Sequence, residues 1–237
     1  MPESAEHIVK SYEQELKHLA GLITEMGGMV ESQVSLATNA VLDGDAELAA
    51  KVVEGDAKVD AMERDIEAFV IRLLALRQPV AGDLRQIVAA LKMTGDLERI
   101  GDYAANVAKR SMVLGQFTLP FTLTGLANMG RLVQQNLKAM IDAIGENDAD
   151  AAVAVWRSDE EVDGIYNALF RELITYMMED PRNITPCTHL LFIAKNLERI
   201  GDHATNIAET LYYAVKGEPL TGTRPKGDTS AYAVVRP

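Results

Sequence analysis

This chain repeats itself. DLERIGDYAANVAKR, from Asp96 to Arg110, returns as NLERIGDHATNIAET, from Asn196 to Thr210. The echo extends upstream of the motif. Met26 pairs with Met129, Val30 with Val133, Ala40 with Ala143, Asp45 with Asp148 and Asp60 with Asp163, each pair 103 residues apart. At LERIGD the offset is 100 (Glu98 against Glu198), so the second hairpin loop is three residues shorter. The matched positions include apolar and turn residues as well as charges, which marks a tandem duplication of one folding unit.

Apolar residues recur at three- and four-residue steps through most of the chain, the period of an amphipathic helix. Breakers divide the pattern into six segments. The first three run from about Ala5 to Leu42, ending at DGD, then to about Leu76, ending at RQPVAGD, then from about Asp83 to Leu114. The next three run from about Leu123 to Ile144, from Asp148 to Met178, where Pro181 and Pro186 intervene, and from Thr188 to Lys216. The expected fold class is all-α, a tandem repeat of two antiparallel three-helix bundles built from six long helices. Residues 1–115 read as the first bundle and 116–216 as the second. Residues 217–237, rich in Gly, Pro and Thr, read as a mobile tail. One merged six-helix array is the alternative, differing in how the first and fourth helices dock.

Composition narrows the function. With 23 basic against 35 acidic residues the net charge is −12, a field that repels nucleic acid. Apolar residues make up 48% but aromatics only 5%, which suits packed helices better than sandwiched sheets. One cysteine, Cys187, allows no internal disulfide and fits a reducing compartment. The opening MPESAEHIVKSYEQEL is unlike a signal peptide, and no uninterrupted apolar run reaches membrane-spanning length. The expectation is a cytoplasmic protein with no membrane span.

The acids carry the chemistry. Positions four apart share a helix face. Glu98, Asp102 and Asn106 form such a line, rotated away from the apolar stripe of Met93, Leu97, Ile100, Ala104 and Val107. Glu198, Asp202 and Asn206 repeat it beside Ile193, Leu197, Ile200, Ala204 and Ile207. These acids are therefore expected outside the core. The preceding helices carry Asp56 with Asp60, and Asp159 with Asp163. Folding each hairpin about its turn, near Ala81 and near Asn183, brings Asp60 level with Asp102 and Asp163 level with Asp202. Four carboxylates are then expected to converge on each repeat. Like charges that close disfavour one another's ionisation, and a cation removes the penalty. Oxygen-only donors suit divalent or trivalent ions of the hard type, iron, Mn or Mg foremost, with Zn a further option.

Plainer readings exist for each residue. An acidic pair is ordinary on a solvated face, and Arg99 or Arg199 can pair with the acid three residues on. Gly101 and Gly201 serve close packing or leave room for an ion. His203 points about 100° from Asp202 and is not a ligand candidate; Trp156, Met177 and Met178 read as core or interface. No Gly-rich phosphate loop or nucleophile–base pair is recognisable.

The duplicated LERIGD-xxx-N-[IV]-A motif, the four acidic pairs, the six helices and YEQELKHLAGLITEMGGMVE near the start resemble the PhoU family, over about Tyr12 to Lys216. The resemblance implies two three-helix bundles whose D/ExxxD motifs bind multinuclear metal clusters. It also implies a negative regulator of the phosphate-starvation response that modulates phosphate uptake. The implied contacts are the phosphate transporter's ATPase subunit and a membrane sensor histidine kinase, and the implied assembly is a homodimer. Carried over by position, the metal candidates are Asp56, Asp60, Glu98, Asp102, Asp159, Asp163, Glu198 and Asp202, with Asn106 and Asn206 close by. In one respect the repeats differ: Glu63 and Glu67 continue the acidic face of the second helix, whereas Tyr166 and Phe170 stand on the fifth. The second cluster is expected to hold fewer ions or bind them more weakly.

The leading reading is a non-enzymatic, metal-binding regulatory adaptor. A carboxylate-bridged di-metal oxidase or ferroxidase is the alternative, but such bundles combine Glu with Glu-x-x-His, and Gly101 and Gly201 stand where His is required. A metal-free interaction bundle is the third.

Overall fold

The structure, a computed structural model, describes residues 2–222, with side chains from Ser11 onward. Most of the tail expected to be mobile, residues 223–237, lies outside the described residues. The helices are α1 (Pro2–Asp43), α2 (Ala46–Arg77), α3 (Ala81–Leu114), α4 (Thr124–Glu146), α5 (Ala149–Glu179) and α6 (Ile184–Lys216), with a 3₁₀ turn at Pro181–Asn183. Among the described residues there is no strand. The protein is an all-α tandem repeat of three-helix bundles.

Helix starts and stops follow local chemistry, and the repeat explains why they match. Asp45 caps α2 by accepting from the Leu48 amide at 2.9 Å. Asp148 caps α5 by accepting from the Asp150 and Ala151 amides at 2.9 and 3.0 Å. Each carboxylate satisfies amides that have no partner within the first turn. The residue before each cap takes a left-handed conformation, Gly44 at φ 65° and Asn147 at φ 52°. Asn is the side chain that best replaces Gly there, because its short polar group tolerates the left-handed region. One boundary departs from expectation. Pro186 does not delay α6 until Thr188; it sits in the first turn, where its missing N–H is not needed by the helix.

The paired apolar positions fill equivalent places. Met26 and Met129, Val30 and Val133, and Leu97 and Leu197 are all buried, in one apolar cluster that runs through both repeats. Within each repeat the three helices pack on one another. Between repeats α3 lies along α6, the most extensive helix pairing in the fold, and α1 rests on α4. The α1–α4 docking depends on a glycine: a Cβ on Gly130 would fall 2.5 Å from Thr38 Cγ2. Thr38 is itself buried, its hydroxyl donating to the Val34 carbonyl at 2.8 Å. Gly130→Val is expected to force the helices apart and lower stability by about 2 kcal/mol, read as a shifted urea midpoint. An unshifted midpoint would show that α1 and α4 are not held together here.

Candidate metal centre

In the first repeat α2 and α3 bring the acids into one electrostatic group. Burial pushes the Asp56 carboxyl above its ordinary value, and Asp102 on the facing helix and Asp60 on its own push it further. Glu98 is raised by burial, then by Asp102, Glu63 and Asp60, with Arg99 pulling the other way. Glu63 is raised by burial, then by Glu67 and Asp60. Asp56, Asp60, Glu98 and Asp102 are thus neighbours across the hairpin, and Glu63 belongs with them. Asn106 is exposed on α3, one turn beyond Asp102.

The local pairing also forms. Arg99 places Nε 3.6 Å from Glu98 Oε2 and Nη1 3.5 Å from Asp102 Oδ2, from an exposed position where such contacts contribute little. Among the described residues no three His, Cys, Asp or Glu side chains are gathered at metal-holding distances. Carboxylates that raise one another's pKa have no incentive to close without a counter-ion.

Helix α1 adds a residue that no spacing rule singles out. Gln33 is buried, and its Oε1 has no hydrogen-bond partner. A Cβ built on Gly101 would lie 3.2 Å from that oxygen, 3.3 Å from Val59 Cγ1 and 3.8 Å from Asp56 Oδ1. Gly101 therefore serves both readings considered for it: it lets α2 pack close, and it sets an α1 amide oxygen and an α2 carboxylate against α3. An orphaned buried oxygen beside acids of raised pKa fits a hard cation in the first repeat.

The second repeat is built differently, and here the expectation that the acids stand outside the interior fails. Asp159, Asp163 and Glu198 are 3%, 4% and 4% exposed. Asp202 is half-buried. Two acids of the first repeat are also exchanged for rings here: Tyr166, at the Glu63 position, is itself buried, and Phe170, at the Glu67 position, packs against the core. Gly201 again admits the neighbouring helix, with Asp159 Oδ1 at 3.7 Å from where a Cβ would stand. Lys195 reaches in, its Nζ 2.7 Å from Glu198 Oε1 and 5.0 Å from the Tyr166 ring centroid.

The candidate Asn206 and the neighbouring His203 face the repeat interface. Asn206 Nδ2 donates to Asp96 Oδ1 of α3 at 3.4 Å, and His203 Nδ1 lies 2.7 Å from the same oxygen. His203 also packs its ring 5.6 Å from Tyr103, over which the Arg199 guanidinium sits at 5.5 Å. This polar seam ties α6 to α3 beside the acidic sets.

The PhoU domain family matches the chain twice, at residues 23–111 and 126–211. The chain belongs to the PhoU family. The two matched stretches begin 103 residues apart (23 against 126) and end 100 apart (111 against 211), the same offsets the duplication shows. The phosphate-specific transport system accessory protein PhoU homolog of Caulobacter vibrioides is 54% identical over 224 residues, covering 94% of this chain and 97% of its own. The Rhizobium meliloti homolog is 47% identical, covering 95% of each. The crystal structure of PhoU from Pseudomonas aeruginosa superposes with a TM-score of 0.85 at 43% identity, covering 87% of this chain and all of the other. That of the phosphate transport system regulatory protein PhoU from Streptococcus pneumoniae gives 0.82 at 31% identity, covering 89% and 99%. These relatives carry the names of accessory and regulatory proteins, not of enzymes. Among the described residues no helix is long and apolar enough to cross a membrane.

Proposed function

We propose that this PhoU-family chain is an accessory regulator of phosphate transport whose first repeat is cation-dependent. The regulatory role is supported by the names of relatives that match it along nearly their whole length. The cation is supported by one observation: the buried Gln33 Oε1 has no hydrogen-bond partner and lies with Asp56 Oδ1 beside Gly101, next to carboxyls that burial and neighbouring acids hold above their ordinary pKa values. Asp56, Asp60, Glu98 and Asp102, with Glu63 and the Gln33 carboxamide, would hold a hard divalent or trivalent ion, iron, Mn or Mg ahead of Zn. A bound ion supplies the positive charge that lets these carboxylates close together. The chain's own part is to hold α2 against α3 through Gly101 and present a rigid face to a partner.

The chain acts on the cytoplasmic side as a homodimer, contacting the transporter ATPase subunit and a membrane sensor histidine kinase and restraining the phosphate-starvation response. Deleting the gene is then expected to leave starvation-response promoters active in phosphate-rich medium. Promoters that still shut off normally, together with no co-purification of the ATPase subunit or the kinase, would sink this reading.

A further inference from the structure

The two acidic sets do not balance their charge in the same way. The α2 and α3 faces of the first carry six carboxylates, Asp56, Asp60, Glu63, Glu67, Glu98 and Asp102. The second has four, Asp159, Asp163, Glu198 and Asp202, because Tyr166 and Phe170 replace the other two. At the position one turn before the LERIGD glutamate, the first repeat has Gly95 and the second has Lys195. A Cβ on Gly95 would meet nothing within 4 Å, so that position is open in the first repeat. In the second it is filled by a side chain whose ammonium contacts Glu198 at 2.7 Å and rests against the Tyr166 ring.

We propose that the Lys195 ammonium is the built-in counter-cation of the second acidic set, so that metal binding is confined to the first repeat. Three acids no more than 4% exposed need a positive partner inside the protein, since buried carboxylates without one are costly. A lysine ammonium is compact and carries three donors, and an aromatic face is a favourable neighbour for it. Arginine does not fill this role. Arg199, the counterpart of Arg99, sits over Tyr103 of the other repeat. The second repeat thereby keeps the hairpin geometry of an acidic site while needing no ion.

The inference rests on the cation reading of the first repeat, and the test separates the two. Bound Mn²⁺ is counted by electron paramagnetic resonance, and melting is followed in Mn²⁺ and in chelator, using the full chain. Asp56→Asn with Asp60→Asn is expected to remove all bound Mn²⁺, and Asp159→Asn with Asp163→Asn to remove none. Adding Lys195→Met to the Asp56→Asn, Asp60→Asn chain is expected to restore Mn²⁺ binding, now at the second set. It is also expected to lower melting in chelator by several degrees, recovered by Mn²⁺. Lys195→Gly, copying Gly95, should behave alike. Mn²⁺ retained by the first-set variant, or a Lys195→Met chain that gains none, would overturn the proposal. A wild-type chain that binds no Mn²⁺ would refute the cation reading of the first repeat, while Mn²⁺ uptake by Lys195→Met alone would still uphold the role of Lys195.

Discussion

Glu98→Gln combined with Asp102→Asn is expected to abolish cation binding in the first repeat and to make the chelated protein more stable than the wild type. Both effects have one cause. Glu98 feels the charges of Asp102, Glu63 and Asp60, and Asp56 those of Asp102 on the facing helix and of Asp60. Neutralising two members relieves repulsion among the rest and removes two oxygens a cation needs. With Mn²⁺ at about a hundred times its dissociation constant the wild type gains about 2.7 kcal/mol, or roughly 5–10 °C in a chain of this size. The variant gains nothing. Calorimetry in Mn²⁺ and in chelator measures both, and a variant that keeps the full metal-dependent shift would refute the ligand assignment.

The same groups set a pH dependence for the chelated wild type. Asp56, Glu63 and Glu98 have folded pKa values above their ordinary 3.8, 4.5 and 4.5. The folded state then binds more protons than the unfolded one, so these groups favour folding below their ordinary values. That contribution is lost as pH rises through the raised ones. The variant, lacking two acids of the set, is expected to show a shallower fall.

The largest loss of stability is expected at the centre of α6. Leu197 is 1% exposed between Ile193 and Ile200, which are fully buried. Leu197→Ala removes its transfer free energy and leaves a cavity that rigid neighbouring helices fill only in part, a cost of about 3–5 kcal/mol. Leu97→Ala, its counterpart on α3, is expected to cost about the same. Because one apolar cluster spans both repeats, the two substitutions should shift a single unfolding transition. Leu76→Ala, at a site 70% exposed, serves as the control and should change stability by less than about 0.5 kcal/mol. A Leu197→Ala loss no larger than this control's would mean that α6 does not anchor the core.

Much of the architecture was legible before any coordinates. Helix periodicity, the Asp45 and Asp148 positions and the breaker residues are local signals, and local signals act within a few turns. The levelling of Asp60 with Asp102 was readable because a hairpin of two straight helices has equal rise on both arms. Pro186 misled because a proline's meaning depends on whether it falls in a first turn or in an interior.

What the chain determined by itself is therefore the duplicated unit, its six helices and the face on which each acid stands. The docking of units was decided only in three dimensions. Periodicity separates the core stripe from the other faces of a helix, but not which of those faces a neighbouring helix or ring then covers. So the burial of Asp159, Asp163 and Glu198, the approach of Gln33 to the acids beside Gly101, and the Asp96–His203 contact between repeats all emerge from packing. Lys195 is the clearest case. Its spacing from Glu198 is that of an ordinary surface pair, and only the burial of Glu198, with the ammonium resting against the Tyr166 ring, turns that pair into an internal counter-charge.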